Sequence, residues 1–303
     1  MEEDEKVVTA TLSPGLDNFA IAEDGRFFVT SFTDGFVKRI NKDGSITELQ
    51  PGGMAHAGGI TFFQDKIVLA DLHAIRAYTT SGAEAFTQRN VLGTGVMGGA
   101  LNIAEDGDDL ILTSWVDNDV RVWNQEQQEV KWRSSGLSAP VSAVRYGGLI
   151  AVAEHGGNRV IGLNELGEIE SVFAEELPAP TGLVSINNQL YVSDRKLGKI
   201  LRIAVDGEPL SEPETLVENL ISPEGFDLYD EKFVVVEADS GEVKIIGTMG
   251  EQKTIAKIPA GTQAASDLQP PSQVFNGVTV DGDGNVYVAG ETNRALYKIS
   301  NPF

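Results

Sequence analysis

The chain has 303 residues, a formal net charge of −22 and no cysteine. So negative a protein repels nucleic acid and anionic membrane surfaces, which excludes both as partners and favours a cationic partner or a bound cation. The absence of cysteine excludes disulfides, thiolate metal sites and a cysteine nucleophile.

No run of about 18 apolar residues occurs, so we expect no membrane-spanning helix. The acidic start of the chain, residues 1–6, has no apolar stretch behind it and does not have the pattern of a signal peptide. Cytosolic and secreted proteins both occur without cysteine. The sequence therefore leaves the compartment open, cytoplasmic or secreted after loss of a leader.

Short strands and polar turns alternate from the beginning of the chain. The apolar segment 19–22 precedes the turn 23–25, and the segment 27–30, rich in aromatic and β-branched residues, leads to a third segment, 36–40. Short segments of this composition, bounded by turn residues, are typical of strands. The last copy of this unit has the same order, at residues 278–280, 281–284, 286–289 and 295–299.

Two positions recur in every copy of the unit. The first lies just before the first strand: Asp17, Gly58, Gly99, Val141, Thr181, Glu224 and Asn276. The second ends the second strand: Ser31, Asp71, Ser114, Glu154, Asp194, Glu237 and Gly290. The spacings are 41, 41, 42, 40, 43 and 52 in the first series and 40, 43, 40, 40, 43 and 53 in the second. Since the two series agree, the period is real.

A period of about 40 residues with four strands per unit is typical of a β-propeller. The sequence predicts an all-β fold, a seven-bladed β-propeller with four-stranded blades, as a single domain over residues 1–303. The blades are expected to start near residues 16, 57, 98, 140, 180, 223 and 275. The seventh unit has no room for a fourth strand, so the N-terminal segment 7–12 is predicted to complete that blade and close the ring.

Several repeat motifs resemble known propeller families. Residues 153–160, Ala-Glu-His-Gly-Gly-Asn-Arg-Val, and residues 290–296 resemble NHL-type repeats and the virginiamycin B lyase type. Residues 223–227 and 275–279 are similar to the gluconolactonase and senescence-marker-protein family, although that family has six blades. The resemblance implies a lactonase-like hydrolase or a lyase that acts on a small organic molecule in the central pocket. No Gly-His…Trp-Asp pattern recurs, which argues against a WD40 ring.

Both recurring positions are expected on one face of the ring, around the mouth of the central channel. Blades six, seven and one are neighbours in a closed ring, so Glu224, Asn276 and Asp17 should lie close together there. Carboxylate and amide oxygens are ligands for a hard divalent cation, Ca²⁺ or Mg²⁺ in preference to Zn²⁺. By the family resemblance, such an ion would polarise a lactone or ester carbonyl. Alternatively, these side chains only satisfy backbone groups of turns.

The three histidines, His56, His73 and His155, are all predicted in loops of this same face. Beside Glu154, His155 is a candidate for proton transfer near neutral pH, with His56 and His73 lining the pocket. Exposed histidines in polar loops are the alternative interpretation.

The remaining candidates for substrate binding are predicted on the same rim. They are Asp71, Asp194, Glu237, Arg195 and Trp115. Each acid alone is expected to brace the turn that follows it, and together they would attract cations. Arg195 is a candidate to pair with a substrate carboxylate or with a neighbouring acid. Trp115 is a candidate for an apolar wall of the pocket or for packing between blades.

The connection before the seventh blade is about ten residues longer than the others and includes residues 259–273. This segment is expected to be either a partial lid over the channel or a plain insertion.

We predict a monomeric lactonase-like hydrolase or lyase with a small-molecule substrate and a divalent cation. Two alternatives stay open. One is a non-catalytic binding or scaffold propeller, and the other is a metal-independent isomerase or cyclase that uses a histidine and an acid.

Overall fold

The computed structural model describes residues 16–22, 25–31, 35–41, 43–54, 57–71, 74–89, 102–124, 126–247, 250–258, 277–290 and 295–303. Within these ranges every regular element is a β-strand. No described segment forms a helix that is long and apolar enough to cross a membrane.

The strands form seven sheets, and in each sheet the strands are neighbours in the order of the chain. Blade 1 holds β1 (Leu16–Ile21), β2 (Phe27–Ser31), β3 (Val37–Ile40) and β4 (Ile46–Gln50). Blade 2 holds β5 (Ala57–Phe63), β6 (Lys66–Asp71), β7 (Ala74–Thr79) and β8 (Glu84–Arg89). Blade 3 holds β9 (Asn102–Asp106), β10 (Asp109–Ser114), β11 (Asp119–Asn124) and β12 (Glu129–Ser135).

The second half of the chain repeats this arrangement. Blade 4 holds β13 (Pro140–Tyr146), β14 (Leu149–Glu154), β15 (Arg159–Leu163) and β16 (Ile169–Ala174). Blade 5 holds β17 (Pro180–Ile186), β18 (Gln189–Asp194), β19 (Lys199–Val205) and β20 (Glu208–Val217). Blade 6 holds β21 (Pro223–Tyr229), β22 (Lys232–Glu237), β23 (Glu242–Ile246) and β24 (Gln252–Lys257). Blade 7 holds β25 (Val278–Val280), β26 (Val286–Gly290) and β27 (Ala295–Ile299).

The seven sheets close into a ring, which confirms the predicted seven-bladed β-propeller. The first strand of each blade contacts the first strand of the next, from β1 and β5 to β21 and β25, and β26 contacts β1. The described part of blade 7 has three strands. The strand predicted at residues 7–12 lies outside the described residues, so its place in the ring stays a prediction.

The apolar core is divided into seven clusters, one between each pair of neighbouring blades. Strand β14 shows why the blades are apolar on both faces. Its Ile150 and Val152 pack toward blade 3, whereas Ala151 and Ala153 pack toward blade 5. Because successive side chains of a strand point to opposite faces, a strand between two neighbours needs a continuous apolar run.

Blades 1 and 7 close the ring through the same kind of packing. The rings of Phe27 and Tyr287 lie 4.6 Å apart between their centroids, and Val29 and Leu296 are fully buried in the same cluster. An aromatic pair at this distance adds about 0.5–1.5 kcal/mol beyond the burial of its area. The closure therefore includes side-chain packing between the first and last blades.

The second recurring position is confirmed in every blade. Its seven residues are the last residues of β2, β6, β10, β14, β18, β22 and β26. In blades 4, 5 and 6 that residue pairs with the first residue of the first strand, as Glu154 does with Pro140. The ends of the second strands and the starts of the first strands thus share one face, called the upper face here. The opposite face is the lower face.

The first recurring position needs two corrections. Val141, Thr181 and Glu224 lie inside the first strands, at β-bulges where the regular pairing shifts, and not before those strands. In blade 3, Asn102 pairs with Thr113 as Ser142 pairs with Ala153 in blade 4. Asn102 is therefore the equivalent of Ser142. The position in blade 3 that corresponds to Val141 comes two residues after Gly99, the residue predicted for it.

Glycine near the start of a first strand allows neighbouring blades to approach closely. A Cβ atom on Gly182 would lie 3.0 Å from Ser193 Oγ, 3.1 Å from the carbonyl oxygen of Glu224 and 3.1 Å from the ring of Phe226. Since two of these groups belong to blade 6, Gly182→Ala should push blades 5 and 6 apart. We expect it to lower the free energy of unfolding by about 1–3 kcal/mol.

Gly148→Ala is the matched control, because a Cβ atom there would meet nothing within 4 Å. This substitution should change the free energy of unfolding by less than about 1 kcal/mol. Chemical denaturation of the two variants and the wild type measures both values. Equal stability of the two variants would contradict the close approach of the blades.

Candidate functional site

The acids that end the second strands of blades 4, 5 and 6 are fully buried and bind backbone groups of the upper face. The N–H of Ser138 donates to Glu154 Oε1 at 2.6 Å, that of Ala179 to Asp194 Oδ2 at 3.0 Å, and that of Ile221 to Glu237 Oε1 at 3.0 Å. These donors all precede the first strand of the same blade. Each acid therefore ties the end of its second strand to the segment that enters the blade.

The acids that end the second strands of blades 2, 4 and 6 also meet a cation from their own blade. Arg159 Nε lies 2.5 Å from Glu154 Oε2, Lys244 Nζ lies 2.6 Å from Glu237 Oε1, and Arg76 Nε lies 2.7 Å from Asp71 Oδ2. In Asp194, the second oxygen accepts from the N–H of Leu197 at 2.8 Å. These contacts are those of structural carboxylates, and substrate binding by Asp71, Asp194 and Glu237 stays a prediction.

Blade 3 reverses this arrangement. Ser114 stands at the place of the acid, and the carboxylate is on Asp119, at the place that Arg159 has in blade 4. Asp119 Oδ2 lies 2.5 Å from Arg121 Nη2 and 2.5 Å from Arg133 Nε. Burial raises the pKa of Asp119, and the two guanidinium groups oppose that rise. The upper-face position that holds Arg159 in blade 4 thus holds a buried carboxylate in blade 3.

Arg195 follows the acid of blade 5 and reaches across to blade 6. Its Nη1 lies 2.7 Å from Oε1 of Glu224, and its Nη2 lies 3.5 Å from Oδ1 of Asp239. Glu224 is fully buried at the bulge of β21, and Arg195 is only 10% exposed. Arg195 therefore forms the ion pair that the sequence allows, and it places a buried guanidinium at the upper mouth of the channel.

His155 has the same place in blade 4 that Arg195 has in blade 5, one residue after the acid. The side chain is half-buried and faces blade 5, and its Nδ1 is buried with no hydrogen-bond partner in the described part of the chain. Burial lowers the pKa of His155, and the cations Lys196 and Arg195 lower it further. A hydrogen bond with the carbonyl of Pro180 and the charge of Asp194 act in the opposite direction. The imidazole is therefore neutral at pH 7.

Trp115 has the equivalent place in blade 3. Its indole packs against the apolar cluster between blades 4 and 5, and its Nε1 is buried without a hydrogen-bond partner among the described residues. Trp115 thus packs against the cluster between two other blades, which agrees with packing between blades, the alternative to a wall of the pocket. Trp115, His155 and Arg195 form an arc on three consecutive blades of the upper face.

Four of the predicted site residues cannot be placed with the others. His56, His73 and Asn276 lie outside the described residues, and so does the segment 259–273. Asp17 is in β1, but its side chain lies outside the described part. In the described ranges, no three His, Asp or Glu side chains are arranged to hold a metal ion. The predicted cation site stays a prediction, and Glu224 is its one ligand with described contacts.

Solved propellers resemble this chain along almost its whole length. A streptogramin B lyase structure matches with a TM-score of 0.77 at 15% sequence identity, over 98% of this chain and 97% of that one. Virginiamycin B lyase from Staphylococcus aureus matches with a TM-score of 0.75 at 17% identity, over 95% of each chain. The WD40 β-propeller domain of Doa1 matches with a TM-score of 0.75 at 15% identity, over 98% of this chain and 97% of that one.

At these identities the likeness establishes the propeller fold, which this chain shares with an enzyme and with a WD40 domain. A family model described as a beta-propeller repeat matches residues 274–298. No curated protein sequence matches the chain. The resemblance to virginiamycin B lyase holds at the level of the fold, and membership of the NHL or gluconolactonase families stays a prediction.

The buried acid of blade 6 gives a direct test of the structural role of these carboxylates. Glu237→Ala removes the nearer of two carboxylates beside Lys244 and leaves the N–H of Ile221 without its acceptor, so we expect the free energy of unfolding to fall by about 3–5 kcal/mol. Glu242→Ala removes a more distant, 32% exposed partner of the same lysine and should cost less than about 1 kcal/mol. Urea denaturation compares the two, and a small loss in both would contradict the proposed bracing.

The protonation of His155 can be measured by side-chain NMR. Its pKa should lie below the ordinary histidine value of about 6.5, because burial and two neighbouring cations disfavour the imidazolium. Lys196→Gln should raise this pKa, whereas Lys257→Gln, an exposed change on β24, should leave it unchanged. A midpoint at or above the ordinary value in the wild type would contradict the described burial.

Proposed function

We propose that this protein is an enzyme of the lactonase-like or lyase-like type that acts on a small organic ester or lactone at the upper mouth of the channel. The observation that supports it is the arc of His155 and Arg195, with Glu224 behind the arginine. A neutral imidazole accepts a proton at pH 7 on its unprotonated nitrogen, and Nδ1 of His155 has no hydrogen-bond partner among the described residues, so the substrate has to open the contact that buries this atom. A buried guanidinium stabilises negative charge that develops on an oxygen atom.

Two reactions fit these groups. In an elimination, His155 accepts a proton from the carbon next to the one that bears the ester oxygen, the electron pair forms a carbon–carbon double bond, and the carbon–oxygen bond breaks to release a carboxylate. In a hydrolysis, His155 accepts a proton from the water that attacks the carbonyl carbon, and it returns this proton to the leaving alkoxide oxygen as the acyl–oxygen bond breaks. In both, Arg195 faces the oxygen that gains negative charge.

In this proposal Glu154 has a positioning role and does not transfer a proton. Its two carboxylate oxygens accept from the N–H of Ser138 and from Nε of Arg159, so both are already engaged in the protein. We therefore assign proton transfer to His155, with Glu154 fixing the strand end that carries it.

No step is assigned to a divalent cation. Glu224 already faces the guanidinium of Arg195 at 2.7 Å, so this carboxylate does not fit a cation site while the ion pair stands. The Ca²⁺ or Mg²⁺ site expected at Asp17, Glu224 and Asn276 stays a prediction. Assays with and without a chelator test it separately from the proton transfer.

The upper face also carries an observation that favours a non-catalytic binding function. Leu197 is 41% exposed and Ile221 is 53% exposed. The N–H of Leu220 donates to the carbonyl of Gly198 at 3.0 Å, which holds the two loops side by side. Two neighbouring exposed aliphatic side chains beside an arginine are a surface for an extended peptide, which is the second candidate function.

An assay with two esters tests the enzyme. The first is quinupristin, the compound present in a solved structure of a catalytically inactive virginiamycin B lyase that matches this chain at 16% identity with a TM-score of 0.75. The second is a simple aromatic lactone. Mass spectrometry separates the two reactions, since hydrolysis adds the mass of one water and elimination leaves the mass unchanged.

His155→Gln should lower kcat/KM by about 100-fold or more, the usual scale for loss of a general base. In the wild type, activity should rise with pH through the lowered pKa of His155 and be lost below it, because the protonated imidazole accepts no proton. Circular dichroism of the variant controls for folding. Full activity in His155→Gln, or no turnover of either ester by the wild type, would contradict the proposal.

A further inference from the structure

The lower face contains a cavity that the proposed function does not use. It has a volume of about 730 Å³ and lies where the first strands of blades 7, 1 and 2 end. Residues 19–22, 60–62 and 277–283 form most of its wall. Pockets for small molecules usually measure about 300–1,000 Å³, so this cavity is large enough for one.

Aromatic side chains supply apolar walls to this cavity. Phe19, Phe62 and Tyr287 all line it. Phe62 is held in place by Phe28, whose ring is nearly parallel to it with centroids 6.1 Å apart. Fixed aromatic rings bind apolar groups, and their faces attract cations.

The charged side chains among the described lining residues are all acidic: Glu105, Asp281 and Asp283. Asp281 shapes its own turn, because its carboxylate accepts from the N–H groups of Asp283 and Asn285 and from the hydroxyl of Tyr287. Burial and this carboxylate raise the pKa of Tyr287, so the phenol stays protonated and keeps donating. The oxygens of Asp281 are thus engaged in the protein itself.

Glu105 has a different environment. Thr61 Oγ1 donates to Glu105 Oε1 at 2.6 Å across blades 2 and 3, which fixes the carboxylate at the edge of the cavity. The side chain is exposed, and no hydrogen bond from another described residue reaches its Oε2. One oxygen therefore stays accessible to a ligand that carries a positive charge.

We propose that this lower-face cavity binds a small organic cation, an amine that carries an aromatic group. The ammonium would donate to Glu105, and the aromatic group would lie among Phe19, Phe62 and Tyr287. Charge-assisted hydrogen bonds and cation–π contacts both favour such a ligand over a neutral one of the same shape. The site is at the opposite end of the channel from His155 and Arg195, so it does not depend on the proposed enzyme activity.

The test is isothermal titration calorimetry with 2-phenylethylamine, which is charged at pH 7, and with its neutral analogue 2-phenylethanol. The wild-type protein should bind the amine saturably and the alcohol about tenfold more weakly or not at all. Glu105→Gln should weaken amine binding about tenfold, because the amide keeps the bond with Thr61 but lacks the charge.

Two control variants locate the site. Glu170→Gln, an exposed change on β16 at the outer edge of blade 4, alters the net charge equally and should leave the affinity unchanged. His155→Gln, at the upper face, should also leave it unchanged. The proposal is overturned if the amine does not bind saturably, if the alcohol binds as tightly, or if either control weakens binding as much as Glu105→Gln does.

Discussion

The packing of each blade between two neighbours is the constraint on which the rest of the structure depends. Every sheet buries both faces, so the apolar core is split into seven clusters that only a closed ring completes. No disulfide assists this closure, since the chain has no cysteine. The contact of Phe27 with Tyr287 joins blade 1 to blade 7 by buried aromatic packing. With the ring closed, the strand ends are fixed on two faces, and both candidate sites lie there.

The distribution of charge follows from this arrangement. The net charge of −22 suggests an acidic mouth, yet the acids at the ends of the second strands are buried and bound to backbone N–H groups and cations. They stabilise the upper face, and the groups that extend from blade to blade there are a neutral histidine and a paired arginine. At the lower face, Glu105 is exposed beside aromatic rings. The two ends of one channel thus favour different chemistry.

The repeat period was sufficient to predict the fold and the last residue of all seven second strands, because turn residues and apolar runs recur at nearly constant spacing. The register at Asn102 was not predicted. The spacing from Asp71 to Ser114 is 43 residues, against 40 in the units on either side, and the sequence does not show where the extra residues between blades 2 and 3 lie. A cation five residues after an acid is a sequence signal for two of the buried pairs, Asp71 with Arg76 and Glu154 with Arg159, whereas Glu237 pairs with Lys244 seven residues on. The pairing of Arg195 with Glu224 joins two blades, and only the closed ring brings those residues together.

The claim that His155 and Arg195 hold the reacting ester is tested most directly by a crystal structure. The inactive His155→Gln variant would be crystallised with whichever ester the wild-type protein consumes. The account predicts the ester at the upper mouth, with its carbonyl or leaving oxygen within hydrogen-bond distance of the Arg195 guanidinium and its reacting carbon beside residue 155. An ester bound in the lower-face cavity, or on the outer edge of a blade, would contradict it.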